Sequence, residues 1–248
     1  DHRIISLKDM EDVLIQLVKP AFFPLVMAGV TDTELLDVIS VLTLSLGGVE
    51  VYSNLVKLLD SNETPESYIN YDLGDGWNLG VVIDKLKYWK ESGIIHPQWY
   101  TFDTKQVELY SERQITSTVI MRLSTHRSWP FHILRRWQSS PFPFNNPQNA
   151  GTAIIAPPVV AYIPSKSRVL KETRLVLKDL MSKDFQEDVV KKLQLSPVHS
   201  SVDTLDREAD DLRFWAAAST QVLTALDTSA PEETIKSFTN EIRQVIVE

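Results

Sequence analysis

The side chains that could do chemistry are five histidines, six tryptophans and a pair of carboxylates in a glycine-rich turn; there is no cysteine. Without cysteine there can be no disulfide, no thiolate metal site and no thiol nucleophile. The histidines are His2, His96, His126, His132 and His199. His126 and His132 stand six residues apart, which suits neither one face of a helix nor a zinc-ligand spacing. Asp72 and Asp75 could in principle serve as the acid and base of glycoside hydrolysis. The glycines around them favour a solvated turn instead. No Gly-x-Ser-x-Gly, P-loop or dinucleotide fingerprint occurs. These residues therefore argue against an enzyme and imply no metal or cofactor.

The tryptophans offer another kind of chemistry, a flat apolar face with one N–H donor at its edge. Trp77, in Gly74-Asp75-Gly76-Trp77-Asn78, can line a cleft or cap the surface. Trp89 falls on the apolar stripe of a helix and is expected in the core. Trp99 and Trp137 also favour the core.

Such residues need a scaffold, and the totals describe an ordinary globular one. The chain has 248 residues, 43% hydrophobic and 23% charged, enough for one large domain or two small ones. A net charge of −8 argues against a nucleic-acid partner, which calls for a basic face. No apolar run is expected to approach the ~18 residues of a membrane-spanning helix. Asp1 is not a natural start and no signal peptide is present, so a processed or truncated form is expected.

Periodicity predicts a mixture of strands and helices, hence an α/β fold. Ser6 caps a helix reaching Val18, with Leu7, Met10, Val13, Leu14 and Leu17 inside and Pro20 ending it. Phe22 to Met27 reads as a buried strand. Thr31 or Asp32 caps a helix over 34–46 that stops at Gly47-Gly48, and 49–59 forms another. A polar loop covers 61–78. Leu79 to Ser92 is amphipathic, with Leu79, Val82, Ile83, Leu86, Tyr88 and Trp89 inward and Gly93 closing it. A weak helix over 102–110 precedes a strand over 116–123, rich in β-branched residues. Residues 131–137 are helix-like, 140–149 form a proline-rich loop and 153–163 an apolar strand. Helices are expected over 212–226 and 231–246, the last with Pro231 in its first turn.

The stretch Ser165 to Val198 organises the rest. Val169, Thr173, Val176, Leu177, Leu180 and Met181 form one apolar stripe, with Arg168, Lys171, Glu172, Arg174 and Lys178 opposite. Ser182 caps a second helix, with Phe185, Val189, Val190 and Leu193 as its buried face, ending at Leu195-Ser196-Pro197. This order of strand, Pro-Ser-Lys turn, helix, Ser-Lys-Asp cap, helix and Leu-x-Leu-Ser-Pro-Val resembles the extracellular solute-binding proteins of ABC importers, in the sugar-binding family that includes maltose-binding protein. Further matches are the strand ending Ala28-Gly29, the helix reaching Leu46-Gly47-Gly48, Tyr88 to Ile95, and Ser140-Pro141-Phe142-Pro143. The chain departs from the family at Arg113, where a glycine is usual, and at Ala156-Pro157-Pro158, where a Gly-Gly pair is usual.

The resemblance implies a periplasmic-binding-protein-like (type II) two-lobed fold. Residues 1–157 would be the main part of the C-terminal lobe, 158–198 a segment crossing to the N-terminal lobe, and 199–248 the closing helices. Most of the N-terminal lobe would have no counterpart, so the helix pair should pack on a sheet supplied from elsewhere, by a missing lobe or a second chain. The implied ligand is a sugar or oligosaccharide, held by aromatic faces and hydroxyl-satisfying polar groups. Trp215 is the implied stacking residue, in the helix starting Phe214-Trp215. Trp129, with His126 and Arg127, follows a strand where the family binds ligand. Thr31 and Asp32 begin a helix that often contacts ligand, an N-cap being the plainer reading. Trp77 completes the candidates. The implied partners are ABC permease subunits, and the implied place is periplasmic or extracellular, free or lipid-anchored. A binding-fold relative acting as a surface interaction module is the alternative, and a glycoside hydrolase comes third.

Overall fold

The computed structural model describes residues 6–61, 64–122, 125–126, 128–137, 140–149, 153–156, 168–193, 201–203 and 221–247. Helix α1, Leu7–Leu17, begins at a capping box: Ser6 Oγ accepts from the Asp9 N–H, and the Asp9 carboxylate accepts from the Ser6 N–H. Leu7, Met10 and Leu14 face the core. Strand β1, Leu25–Met27, is wholly buried and pairs in parallel with β2, Thr118–Ile120, in the register Leu25–Thr118 and Met27–Ile120. Ile95 adds a parallel bridge to Leu25 on the other side.

Between β1 and β2 the chain forms α2, Asp32–Asp60, α3, Gly80–Glu91, and α4, Thr104–Glu112. Gly47-Gly48 ends the first helical segment as expected: Gly48 is non-helical, and α2 is two helical segments that meet at a kink there. Gly48 has φ +79° inside α2, a backbone that glycine adopts at little cost. Taken as one 29-residue element, α2 is long and apolar enough to cross a membrane by length and composition alone, yet it is broken at Gly48 and mostly buried. It is the central core helix. Leu35, Leu36, Ile39, Leu42, Tyr52, Leu55 and Leu59 are its buried positions.

α3 buries Val82, Ile83, Leu86 and Trp89. Tyr88, expected inward, is exposed, its ring lying beneath the Lys85 ammonium. Gly93, at φ +75°, turns the chain into buried Ile94 and Ile95. The proline-rich loop docks on the core: the Leu7 N–H donates to Phe144 O, and Ser45 Oγ to Pro143 O.

After the short helix α5, Phe131–Leu134, strand β3, Ala153–Ala156, pairs in parallel with β4, Gln221–Thr224. Here the sequence reading is corrected: residues 221–224, expected at the end of a helix, are strand. Val222 and Thr224 are β-branched, and pairing with β3 outweighs the local helical pattern. The last helix, α8, Glu232–Val247, buries Ile235, Phe238, Ile242 and Ile246.

The helix pair is present as α6, Leu170–Leu180, and α7, Lys183–Leu193, with Ser182 Oγ accepting from the Phe185 N–H. Its apolar stripe is only partly covered, with Thr173, Leu177 and Leu180 half-buried. Val176 and Met181 are 56% and 57% exposed, and Val169 and Phe185 are exposed too, although Val190 is buried. The expectation of a buried face on α7 thus holds at Val190 and fails at Phe185.

Candidate functional site

Parallel strands send their carboxyl ends to one side, and in open α/β sheets ligands bind outside those ends. Three segments leave the described strands there. β1 runs through Ala28-Gly29-Val30 into the start of α2. β2 runs through Met121 to Arg122. β4 runs through Ala225-Leu226 to Asp227. Gly29 is required by close approach: a Cβ would stand 2.7 Å from Trp99 Cζ3. Its N–H and that of Val30 both donate to Phe102 O, which fixes the exit from β1.

These exits meet in an ion cluster. Arg122 Nε lies 2.7 and 2.8 Å from the two carboxylate oxygens of Asp37, on the second turn of α2. Its Nη2 lies 2.7 Å from Asp227 Oδ2. Asp227 Oδ1 is buried and accepts no hydrogen bond among the described residues. One cation faces two carboxylates in a half-buried place. Burial pushes the Asp37 carboxyl up to about 6, against the opposing pull of Arg122, and the Asp227 and Glu34 charges add to the rise. Tyr52 Oη donates to Thr224 O at the end of β4 (2.8 Å). Burial pushes its phenol well above the usual range, and the Asp227 and Asp37 charges raise it further.

A second cluster holds the start of α2. Arg243 of α8 donates through Nη1 to Asp32 Oδ1 and through Nη2 to Val30 O (3.1 Å); Thr239 Oγ1 donates to the same Asp32 oxygen (2.9 Å). Burial alone would raise the Asp32 pKa, but the bonds from Arg243 and Thr239 outweigh it and hold the carboxyl below its ordinary value. Thr31 forms a capping box with Glu34, as the N-cap reading has it. Glu34 Oε1 also accepts from the Thr104 N–H, joining α2 to α4.

The aromatic candidates lie mostly inward. Trp129 is 4% exposed; its ring meets His126 edge-on at 5.2 Å and Trp137 at 6.2 Å. His126 is buried with it. Trp77 packs against the core beside Gly47. Trp89 and Trp99 are fully buried, as expected. Trp215, Arg127, Pro157 and Pro158 lie outside the described residues.

Of the predicted residues the structure brings together Trp129 with His126, and Thr31 and Asp32 at the start of α2. It adds Arg122, Asp37, Asp227, Tyr52 and Arg243, which sequence reasoning missed. A signal for two of them was present: Arg122 and Asp37 are single charges in apolar runs, Val-Ile-Met-Arg-Leu and Leu-Leu-Asp-Val-Ile. A charge there is kept only with a partner. No group of three or more histidine or acidic side chains among the described residues could hold a metal ion.

No protein-family profile and no curated protein matches the sequence. Among solved structures the chain is similar in fold to a bacterial solute receptor, AcbH, described as having an exclusive substrate preference for β-D-galactopyranose. The TM-score is 0.80 at 13% identity, over 99% of this chain and 61% of that one. The chain therefore has the α/β fold of a solute receptor and spans about three fifths of that receptor's length.

Proposed function

We propose that the chain captures a small neutral solute, a sugar or oligosaccharide, at the carboxyl edge of its strands and delivers it to the permease of an ABC importer. The observation that carries this reading is the likeness in fold to a solute receptor over nearly the whole chain. The edge is suited to such work. Its backbone exits are held by half-buried ion clusters, so a ligand meets a preorganised surface. Among the described residues Arg122 Nη1 makes no hydrogen bond, and it is a donor suited to hydroxyl groups.

In this reading two lobes close about the ligand, which favours the closed form by the extra contacts it makes there. The exposed stripe of Val169, Val176 and Met181 is then the surface on which the other lobe packs. Trp215 is the stacking residue, and Arg127, Trp129, His126, Thr31, Asp32 and Trp77 are the further ligand-binding residues. The place of action is periplasmic or extracellular, on a free or lipid-anchored protein, and the activity is binding without catalysis. The test is a fluorescence titration of the full-length protein with D-galactose, D-glucose and maltose. A saturable change with one of them, lost in Trp215→Ala, supports the reading. A flat response from folded protein to every sugar opposes it.

One observation favours a second reading, in which the fold serves as an interaction module. The same exposed stripe on α6 and α7 would dock a partner protein. A partner that binds through Val176 and Met181 while no solute binds would establish it.

A further inference from the structure

We propose that the open cleft between the last turns of α2 and the loop after Asn70 is a second saccharide site, taking one pyranose ring. The ligand class rests on the reading above; the place does not. The cleft measures about 410 Å³, within the ~300–1,000 Å³ of small-molecule pockets. It lies at the carboxyl-terminal end of α2, beyond the Gly48 kink, whereas the strand-edge clusters meet the amino-terminal end.

Its chemistry fits a sugar better than it fits an ion. The floor is Leu58 and Leu73, both buried, and Tyr71, 39% exposed, offers an aromatic face. Asn54 and Lys57 face the cleft from one side of α2, and Asp72 from the loop. Three groups keep unspent hydrogen-bonding capacity. Among the described residues Asp72 uses only Oδ1, the Tyr71 hydroxyl makes no hydrogen bond, and Lys57 Nζ has one long contact, 3.4 Å to Asn54 Oδ1. A free cation would be repelled by Lys57 and a free anion by Asp72. A ring with an apolar C–H face and a rim of hydroxyls satisfies both.

The cleft is preorganised. Asp72 Oδ1 accepts from the Gly74 and Gly76 N–H groups at 2.8 and 3.1 Å, and Asn54 Nδ2 donates to Leu73 O at 2.8 Å. Gly74, Asp75 and Gly76 all have positive φ, so the loop is held in a conformation that Asp75 would otherwise avoid. Here the carboxylate of Asp72 locks the loop, and the Asp72–Asp75 pair is a turn, as the glycines suggested.

Glycine-selective ¹⁵N NMR on the full-length protein tests this, because Gly29 reports the strand edge while Gly74 and Gly76 report the cleft. D-galactose, D-glucose and D-mannose are each titrated to tens of millimolar. The proposal expects the Gly74 and Gly76 amides to shift saturably with at least one sugar. Tyr71→Ala should weaken that response about tenfold, and Lys57→Ala should weaken it without disturbing the loop. If Gly74 and Gly76 stay still with all three sugars, or respond unchanged in both variants, the proposal is overturned. A shift at Gly29 alone would leave the transport reading standing and remove this one.

Discussion

Arg122 Nε sits 2.7 Å from Asp37 Oδ1 while its Nη2 sits 2.7 Å from Asp227, so a single guanidinium joins the exits of β2 and β4 to helix α2. The cluster has one positive and two negative members in a half-buried place, and its balance depends on pH. Asp37 has a folded pKa of about 6 against an ordinary 3.8. Between those values the folded chain holds a proton that the unfolded chain has released. The contribution is therefore complete below about pH 4 and lost as pH rises through 6, amounting to about 3 kcal/mol. Asp37→Asn should flatten that part of the stability profile, measured by urea unfolding from pH 4 to 7. Asp32 acts in the other direction and in another window, because its lowered pKa gives stability that is lost only at more acid pH.

Gly29→Ala should destabilise the fold by about 1–3 kcal/mol. The added methyl meets the Trp99 ring at 2.7 Å and the backbone at Tyr100 Cα at 3.0 Å, and the ring is fully buried. Thermal unfolding with Trp99→Phe as a second background checks the cause. A smaller ring should recover part of the loss.

Thr31→Ala should cost about 1 kcal/mol through loss of the cap on α2. Thr31→Ser keeps the cap and should cost little. Affinity for sugar measured on both variants separates the cap from a ligand contact, since a contact through the hydroxyl survives in serine and disappears in alanine.

Val176→Glu with Met181→Glu should change the stability of this 248-residue chain by less than about 1 kcal/mol, because both side chains lie in solvent. The same pair of changes should lower self-association in sedimentation, since it removes an exposed apolar stripe. A large loss of stability would mean that the stripe is covered within the chain.

Much of the fold was legible where the signal is local. Ser6 and Asp9, Thr31 and Glu34, and Gly93 each mark an element boundary through bonds spanning a few residues, and all three were found. The α6–α7 pair was visible from its stripe and from Ser182. β4 was not, because its pairing with β3 joins residues far apart in sequence. The break at Gly48 was legible, because Gly47-Gly48 marks it locally and Gly48 leaves the helical backbone there. At the site, sequence can show that an indole exists but not which way it faces: Trp129 is buried and Trp77 half-buried. Arg122 escaped notice because its partners are 85 and 105 positions away.

The most direct test of the central claim is thermal unfolding of the full-length protein against sugars, polyols, amino acids and polyamines. A solute that binds only the folded state raises the midpoint by mass action, by about 2.7 kcal/mol of added stability at a hundredfold excess over Kd. The account predicts a saturable rise with at least one sugar and none with polyamines. No rise with any sugar, from protein that unfolds cooperatively, would contradict it.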